Sequence, residues 1–456
     1  MEYIKSDFDW QKHAKTAKPL RVIIVGAGVA GLATGLGLKK TGHDPVILEQ
    51  VSDIKEVGAG IQLAPNAARI FDRLGCLEDL MEAATMLQKN SLRRYANDDE
   101  LGTAPLMPGI GKKYGAPLSV IHRGDLQRIL LQATKDAGVE VRTATKVVAV
   151  DENFGARVKT KDGEWIEGDV VIAADGIKSD IRRQIAAHHG HQDFSTPTGD
   201  AAYRILIPKE NMEHDEQALK LLNQNVGMRW MGPGGHIMAY PIKNNQVYNM
   251  VLLHPAKPHQ KGDESWTTKG DKKEMMEFYK SWSPLVQNLL SYVPEGEVME
   301  WTLNSHKPLP SWVEGKVALV GDSCHPMLPY VAQGAANAVE DAGTIVAAFT
   351  QTSNVQEALQ VYEEVRKARG EAIQQSASKT RKSLHLPDGP EQQKRDDAIK
   401  AAGKGEGHNP DLWADTEWQS FMWGVDVMKD TVEKWHELLS KARGHHLHSV
   451  SASTYT

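Results

Sequence analysis

The chain has 456 residues, a formal net charge of −6 and two cysteines. Its length exceeds one ordinary hydrophobic core, so we expect two domains or one domain with extensions. The acidic balance excludes the basic surface typical of nucleic-acid-binding proteins, and two cysteines exclude a disulfide framework. The sequence shows neither a signal-peptide core nor an apolar run of membrane-spanning length, which favours a cytoplasmic protein without a membrane span.

The first predicted elements form a strand–turn–helix–strand unit at residues 20–49. The sequence RVIIV indicates a buried parallel strand, and GAGVAG follows it directly. In this motif Gly26 permits the tight turn, Gly28 lets the backbone approach a pyrophosphate, and Gly31 lets the helix pack close to the strand. Glu49 ends the second strand, where a carboxylate can accept hydrogen bonds from an adenosine ribose. The unit therefore predicts a dinucleotide site.

Later segments place further candidate residues beside this unit. The sequence VGAGIQL contains Gly60 and Gln62, and a backbone without side-chain bulk can pass close to a flat ring there. Arg123 follows a predicted strand and precedes the helix that starts DLQRIL, and Asp175 with Gly176 closes the predicted strand DVVIAADG. From the residues alone, Arg123 is either a ligand contact or a surface residue, and Asp175 is either a ligand contact or a turn residue.

The C-terminal half returns to this pattern after residues 196–304, whose strands and long polar connections indicate a substrate-binding sheet. A buried strand at residues 316–320 is followed by Asp322, at the strand end where α/β sheets bind ligands. A helix is predicted from about Gly334, and the small Gly334 and Ala335 let its positive end approach a flat ring. Together with the N-terminal motif, this second motif points to FAD, held by both ends of one chain.

These motifs, in this order, resemble those of the group A, single-component, FAD-dependent aromatic monooxygenases, and among them the salicylate hydroxylase-like enzymes common in fungi. The resemblance extends over about residues 19–377 and includes VGAGVAGL, EVGAGIQLAPNAARIFDRLG, IHRGDLQRIL, DVVIAADGIKSDIRR and GPGGHIMAYP. It implies an α/β fold like that of p-hydroxybenzoate hydroxylase. In that fold a Rossmann-like FAD-binding domain is interleaved with a β-sheet substrate domain, and we expect a C-terminal helical extension here.

The resemblance also implies the chemistry. NADH or NADPH reduces FAD as a transient hydride donor, reduced flavin and O2 give a C4a-hydroperoxide, and its oxygen passes to an activated phenolic ring. No second glycine-rich fingerprint follows the first, which fits a nicotinamide that binds transiently. The motifs and the resemblance together predict these cofactor-binding residues: Gly26, Gly28, Gly31, Glu49, Gly60, Gln62, Arg123, Asp322, Gly334 and Ala335.

Two residues are expected to act on the substrate. Arg204 in AYR and Tyr240 in MAYP match an Arg–Tyr pair that fungal phenol-dearomatising relatives use to hold a phenol. An Arg can pin a phenolate or pair with a carboxylate, and a Tyr can donate a hydrogen bond or relay a proton. The alternative is that both are structural sheet residues. His236 and His306 are further candidates for a base.

The substrate stays open between two classes. We expect a salicylate-like phenolic acid, hydroxylated with loss of its carboxylate, ahead of a polyketide-derived phenol from fungal secondary metabolism. A different class of protein with the same fold is the non-enzymatic prenyl-protein carrier of the GDP-dissociation-inhibitor type, which would bind no flavin. We expect a monomer or homodimer, no nucleic-acid partner and no metal, and we interpret the histidine clusters at residues 188–191 and 445–448 as surface features.

The predicted domain boundaries follow the motifs. Residues 1–19 form an N-terminal extension, residues 20–83, 115–195 and 305–385 the FAD-binding domain, and residues 84–114 and 196–304 the substrate domain. Residues 386–410 are rich in charge, glycine and proline and are predicted as a linker. Residues 411–456 are predicted as C-terminal helices and a tail, with four tryptophans supplying an apolar face: Trp413, Trp418, Trp423 and Trp435.

Overall fold

The computed structural model of the protein describes residues 7–54, 58–193, 195–257 and 267–453. The strands in chain order are β1 Arg21–Val25, β2 Asp44–Leu48, β3 Gly60–Leu63, β4 Lys89–Arg94, β5 Glu100–Pro105, β6 Ser119–His122, β7 Glu140–Arg142, β8 Val147–Val150, β9 Arg157–Thr160, β10 Trp165–Glu167, β11 Val170–Ala173, β12 Thr196–Pro208, β13 Val226–Gly232, β14 Gly235–Ile242, β15 Val247–Pro255, β16 Thr267–Lys269, β17 Met299–Ser305, β18 Val313–Glu314 and β19 Val317–Leu319. The helices are α1 Val29–Lys40, α2 Pro65–Arg73, α3 Leu77–Ala83, α4 Gly109–Tyr114, α5 Arg123–Asp136, α6 Asp180–His188, α7 Glu216–Asn223, α8 Lys272–Phe278, α9 Pro284–Ser291, α10 Gly334–Gln351, α11 Val355–Leu384, α12 Pro390–Ala402, α13 Thr416–Trp423, α14 Val427–Glu433 and α15 Trp435–Ser453.

A mostly parallel sheet carries the N-terminal unit. Its six strands lie in the order β18-β19-β11-β1-β2-β7, and β1 pairs in parallel with both β2 and β11. Residues 22–25 of β1 are buried, as the β-branched run predicts for a central parallel strand. β19, from the C-terminal half, joins β11 in parallel. The carboxyl ends of strands from both halves of the chain therefore meet at one edge of this sheet.

The second large sheet has eight strands, in the order β16-β17-β12-β15-β14-β13-β4-β5. Across its middle, Arg204 of β12 is opposite Val251 of β15, Val251 is opposite Met238 of β14, and Met238 is opposite Arg229 of β13. Residues directly opposite one another share a face of the sheet. These four side chains form what we call the central row: Arg204, Val251, Met238 and Arg229.

The sheets agree with an interleaved chain. β4 and β5 belong to the same sheet as β12–β17, although β6–β11 come between them in sequence. The domain boundaries themselves stay a prediction.

The predicted linker over residues 386–410 contains a helix where the sequence favoured a loop. Helix α12 starts with a proline after Gly389, a position that suits a helix start. Its Arg395 and Asp396 are buried and paired with each other, and Ile399 packs against Gly102 of β5. The polar composition concealed this helix because its buried charged side chains satisfy one another.

The C-terminal helices cover the core beside the parallel sheet. Helices α14 and α15 pack on α10 and α11, and Asp426 before α14 accepts two hydrogen bonds of 2.6 Å from Arg73. Trp413, Trp423 and Trp435 are buried, so the predicted tryptophan face lies against the core. Within the described ranges, the helices lack the combination of length and apolar character needed to cross a bilayer.

Candidate active site

A cavity of about 970 Å³ lies at the carboxyl edge of the parallel sheet, and Gly26, Gly28 and Glu49 line it. The backbone holds the Glu49 carboxylate in place. Its Oε2 accepts the N–H of Ala27 at 2.8 Å, and its Oε1 accepts the N–H of Val51 at 3.0 Å. This end of the site therefore presents a fixed carboxylate beside a glycine turn, as a ribose and a pyrophosphate require.

The three glycines of the first motif have different physical roles. Gly26 adopts a φ of +101°, which favours glycine. A Cβ on Gly31 would lie 2.0 Å from the carbonyl oxygen of Gly26, so α1 sits too close to the turn for any side chain there. A Cβ on Gly28 would meet nothing within 4 Å, because Gly28 faces the cavity. The space in front of Gly28 is where the motif predicts phosphate.

A second cavity, of about 320 Å³, lies between the two large sheets. It brings together the remaining predicted cofactor residues: Gly60, Gln62, Arg123, Asp322, Gly334 and Ala335. Gly28, Ala174 and Gly176 line both cavities, so the two adjoin. A long ligand can therefore extend from Glu49 to the N-terminus of α10, where no side chain caps the helix.

The buried polar atoms in this region that have no hydrogen-bond partner among the described residues include Nε2 of Gln62 and Oδ1 of Asp175. Burial raises the pKa of Asp175 to about 6. Buried polar atoms are normally satisfied, so these two call for a polar ligand. The open space at Gly28, the adjoining cavities and the two unsatisfied atoms fit a dinucleotide with a flat polar ring, as FAD has.

A buried ionic network holds the loop that carries Asp322. Oδ2 of Asp341 accepts the N–H of Gly321 at 2.7 Å and lies 2.5 Å from Nε2 of His325, while its Oδ1 accepts from Arg366. Burial lowers the pKa of His325, but the Asp341 carboxylate outweighs it and holds that pKa well above its usual value. The loop is therefore pinned from beneath while Asp322 itself stays exposed at the second cavity.

The same network includes a candidate metal cluster, which the sequence did not predict. Ligand atoms of Cys324, His325 and Asp341 lie within 4.8 Å of one another. Both Asp341 oxygens are already hydrogen-bonded, and the Arg366 guanidinium lies 2.8 Å from one of them. A cation there would face the Arg366 charge, so the arrangement suits an ion-pair network better than a metal.

The inner wall of the second cavity is the central row with its neighbours on β14. Arg204 lies over the ring of Trp301 at 5.0 Å, and its Nε has no hydrogen-bond partner among the described residues. Burial and the nearby Arg123 lower the pKa of Arg204. Tyr240 lies two residues beyond Met238 on the same face, and burial raises its pKa, so it stays protonated. The two predicted substrate residues therefore line one cavity.

The two histidines predicted as further bases line different cavities. His236 lines the second cavity, is buried, and its Nδ1 lies 2.9 Å from Nε2 of His385. Burial lowers the pKa of His236 well below its usual value and that of His385 to about 4, so both are neutral at neutral pH. His306 instead lines the first cavity, beside Asp193. Only His236 of this pair is placed to act on a ligand in the second cavity.

Comparison with known proteins decides the family. Residues 19–377 match the family described as FAD binding domain. A FAD-dependent monooxygenase of Arthrinium sp, atnJ, is 37% identical over 398 residues, which are 86% of this chain and 91% of that protein. The chain belongs to the FAD-dependent monooxygenases.

Two further comparisons bear on this monooxygenase. The 3-hydroxybenzoate 6-hydroxylase 1 of Aquipseudomonas alcaligenes is 34% identical over 357 residues, 77% of this chain and 86% of that enzyme. A solved salicylate hydroxylase substrate complex superposes with a TM-score of 0.76 at 26% identity, and the match covers 92% of this chain and 98% of that one. The predicted fold and family are confirmed. Because the relatives are named as monooxygenases and hydroxylases, the alternative of a non-enzymatic carrier is set aside.

Sequence reasoning missed two residues of the monooxygenase's second cavity. Arg229 is buried in β13 and lines the cavity, and Trp413 of the C-terminal segment lines it too. An Arg within the apolar strand VGMRWMG was a signal for the first. Nothing in the local sequence marks Trp413, because only the packing of the C-terminal segment brings it to the cavity. The histidines at 188, 189 and 191 are exposed, while the side chains at 446 and 448 lie outside the described residues.

Proposed function

We propose that this monooxygenase hydroxylates a phenolic aromatic compound bound in the second cavity, with O2 and with NADH or NADPH as transient hydride donor. One observation carries the proposal. Arg204 lines a cavity whose floor is Met238 and Val251, and among the described residues no carboxylate pairs with it. A buried cation without a counterion favours an anionic ligand, and a phenolate is the activated form that an electrophilic oxygen attacks.

The cofactor-binding assignment is part of the proposal. Gly26, Gly28, Gly31 and Glu49 would hold the adenosine and pyrophosphate end of FAD. The second group would hold the flavin end: Gly60, Gln62, Arg123, Asp322, Gly334 and Ala335. Bound FAD supplies the two-electron redox chemistry that activates O2.

The chain's own residues then prepare the substrate. The Arg204 guanidinium would hold the phenolate oxygen and lower the pKa of the bound phenol. Tyr240, protonated, would donate a second hydrogen bond to that oxygen. His236, neutral, would accept the phenolic proton at Nε2 in the tautomer whose Nδ1–H donates to Nε2 of His385. The apolar floor and Trp413 would exclude water from the reacting ring.

The substituent on the phenol has two open classes. A salicylate-like acid, hydroxylated with loss of its carboxylate, is one, and the similarity to a salicylate hydroxylase structure supports it. A polyketide-derived phenol is the other. A cytoplasmic, reducing setting is also proposed, since Cys76 and Cys324 are both free and buried. A monomer or homodimer stays a prediction.

The first test is anaerobic reduction of the FAD-loaded protein by NADH or NADPH, followed as bleaching of the flavin, with and without salicylate. Much faster bleaching with salicylate supports a phenolic-acid monooxygenase and is followed by product analysis. Bleaching that is indifferent to salicylate directs the search to other phenols. A protein that takes up no flavin after FAD is added contradicts the proposal.

The second test separates the two substrate residues from the cofactor residues. Arg204→Met and Tyr240→Phe remove the charge and the hydroxyl while keeping most of the side-chain volume. We expect normal FAD content with a loss of about 10²-fold or more in turnover for Arg204→Met, and a smaller loss for Tyr240→Phe. Unchanged turnover and unchanged coupling of NAD(P)H use to product in both variants would show that these are structural sheet residues.

A further inference from the structure

A second arginine lines the substrate cavity, and its charge is already neutralised. Arg229 is 3% exposed, and its Nη1 donates to Oδ2 of Asp411, which is completely buried. The Arg229 guanidinium also lies 5.6 Å from the centre of the Trp413 ring. The other Asp411 oxygen, Oδ1, accepts the N–H of Trp413 at 3.2 Å. The C-terminal segment thus supplies both the counterion and the aromatic wall for this arginine.

The two arginines of the central row differ in whether a carboxylate neutralises their charge. Arg204 and Arg229 are three strands apart, so their Cα atoms are separated by about 14 Å, since neighbouring strands lie about 4.8 Å apart. Arg204 has no carboxylate partner among the described residues, whereas Arg229 and Asp411 form a neutral pair. Met238 and Val251 lie between the two arginines. A ligand in this cavity therefore meets a cation at one end and a neutral donor pair at the other.

The neutral pair still has hydrogen-bond donors to offer. In the part of the chain that the structure describes, Nη1 is the one Arg229 nitrogen with a hydrogen-bond partner, and Nε is buried without one. A free carboxylate placed there would have to approach the Asp411 carboxylate, and repulsion between two carboxylates is strong beside a pair as buried as this one. A neutral carbonyl oxygen accepts from the same N–H groups without that repulsion.

We propose that the Arg229–Asp411 pair selects phenols that carry a neutral acceptor, such as an acyl or formyl carbonyl, over phenols that carry a free carboxylate. The proposal rests on the proposed function, because it takes the phenolate to be held at Arg204. It names the substituent at the opposite end of the substrate. Of the two classes open from the sequence, it favours the polyketide-derived phenol over the salicylate-like acid.

Three ligands that share one ring test the selection: resorcinol, 2,4-dihydroxyacetophenone and 2,4-dihydroxybenzoate. Their dissociation constants are measured from the change in flavin absorbance of the FAD-loaded protein, with bleaching by NAD(P)H as a second readout. We expect the ketone to bind about tenfold or more tighter than the acid, a difference of 1.4 kcal/mol per factor of ten. An acid that binds as tightly as the ketone overturns the proposal.

Asp411→Asn exposes the charge of Arg229 while keeping an oxygen for the Trp413 N–H. We expect the ketone-to-acid preference to fall by about tenfold or to invert, because the arginine then has no counterion. The double variant Arg229→Met with Asp411→Asn removes the pair, and we expect it to bind ketone and resorcinol alike. The matched control is Asp426→Asn, which weakens another ion pair to the C-terminal helices, with Arg73, outside the cavity.

The outcomes separate the two proposals. If FAD content and unfolding midpoint are retained in Asp411→Asn but the preference is unchanged, the selection is wrong and the hydroxylase proposal stands. If Asp426→Asn changes the preference as much as Asp411→Asn, the effect comes from general loosening of the C-terminal segment, and the selection is again wrong. If none of the three phenols perturbs the flavin or accelerates its bleaching in the wild-type protein, both proposals fail.

Discussion

Two glycines of the first motif offer a matched test of packing against ligand approach. A Cβ on Gly31 would lie 2.0 Å from the Gly26 carbonyl oxygen and 3.3 Å from Cγ2 of Ile24. Since Cβ atoms essentially never approach a heavy atom closer than 3.0 Å, Gly31→Ala must displace α1 from β1 by about 1 Å. Overpacking of this kind costs about 1–3 kcal/mol, and the better helix propensity of alanine returns at most about 1 kcal/mol.

Gly28→Ala is the contrasting change. Gly28 has a φ of −75°, which alanine adopts without strain, and its Cβ would meet nothing within 4 Å. We therefore expect the stability of the FAD-free protein to change by less than about 0.5 kcal/mol. The added methyl group occupies the space where the pyrophosphate would approach, so we expect FAD to bind about 10- to 100-fold more weakly, or 1.4–2.8 kcal/mol.

Urea unfolding of the FAD-free protein and titration with FAD, followed by flavin fluorescence, measure the two effects separately. We expect Gly31→Ala to lower both stability and FAD affinity, and Gly28→Ala to lower affinity alone. A Gly28→Ala protein that binds FAD as tightly as the wild type would refute the placement of the pyrophosphate. A Gly31→Ala protein of wild-type stability would refute the packing argument.

Three further outcomes follow from buried contacts. The Leu20 N–H donates to Nδ1 of His43 at 3.2 Å, and burial lowers the pKa of His43 to about 4. His43 therefore contributes its full stabilisation above pH 6.5, and up to about 3 kcal/mol of the unfolding free energy is lost as the pH falls to 4. We expect His43→Gln to remove this pH dependence. Equal urea midpoint shifts between pH 7.5 and 5 in both proteins would contradict this. Gly60→Ala places a Cβ 2.6 Å from Cε2 of Tyr240, so we expect turnover to fall more than FAD content, measured by steady-state assay and absorbance. Arg366→Leu removes the cation that Glu340 and Asp341 share, while Arg369 still pairs with Glu340 and His325 with Asp341. We expect the unfolding free energy to fall by about 1.5–3 kcal/mol, checked by urea unfolding; a loss under 1 kcal/mol would contradict it.

The residues proposed to hold the cofactor follow from local signals in the sequence. Gly26, Gly28 and Gly31 occupy fixed positions in a strand–turn–helix unit, and Asp322 lies three residues after the end of a buried strand. Parallel strands bring such strand ends to one edge, whatever their distance in sequence. The resemblance to a known family supplied Arg204 and Tyr240, which periodicity alone would not have distinguished from other sheet residues.

Other features were hidden from the sequence. Helix α12 was missed because its charged sequence resembles a solvated loop, whereas two of its charged residues, Arg395 and Asp396, are buried and paired with each other. Arg229 was missed because an arginine in a strand identifies neither its face nor its partner. Asp411 was missed as the partner of Arg229 because it lies in the C-terminal segment, far from Arg229 in sequence.

By itself, the sequence determined the family and the FAD-binding fold, through one motif near each end of the chain. It also supplied most of the residues expected at the cofactor. Only the tertiary structure decided which side chains form the wall of the second cavity. The strand register sets Arg204 and Arg229 in one row, and the docking of the C-terminal segment neutralises one arginine and leaves the other charged. Register and docking depend on contacts between residues distant in sequence, so no local pattern specifies them, and the charge of the second cavity follows from both.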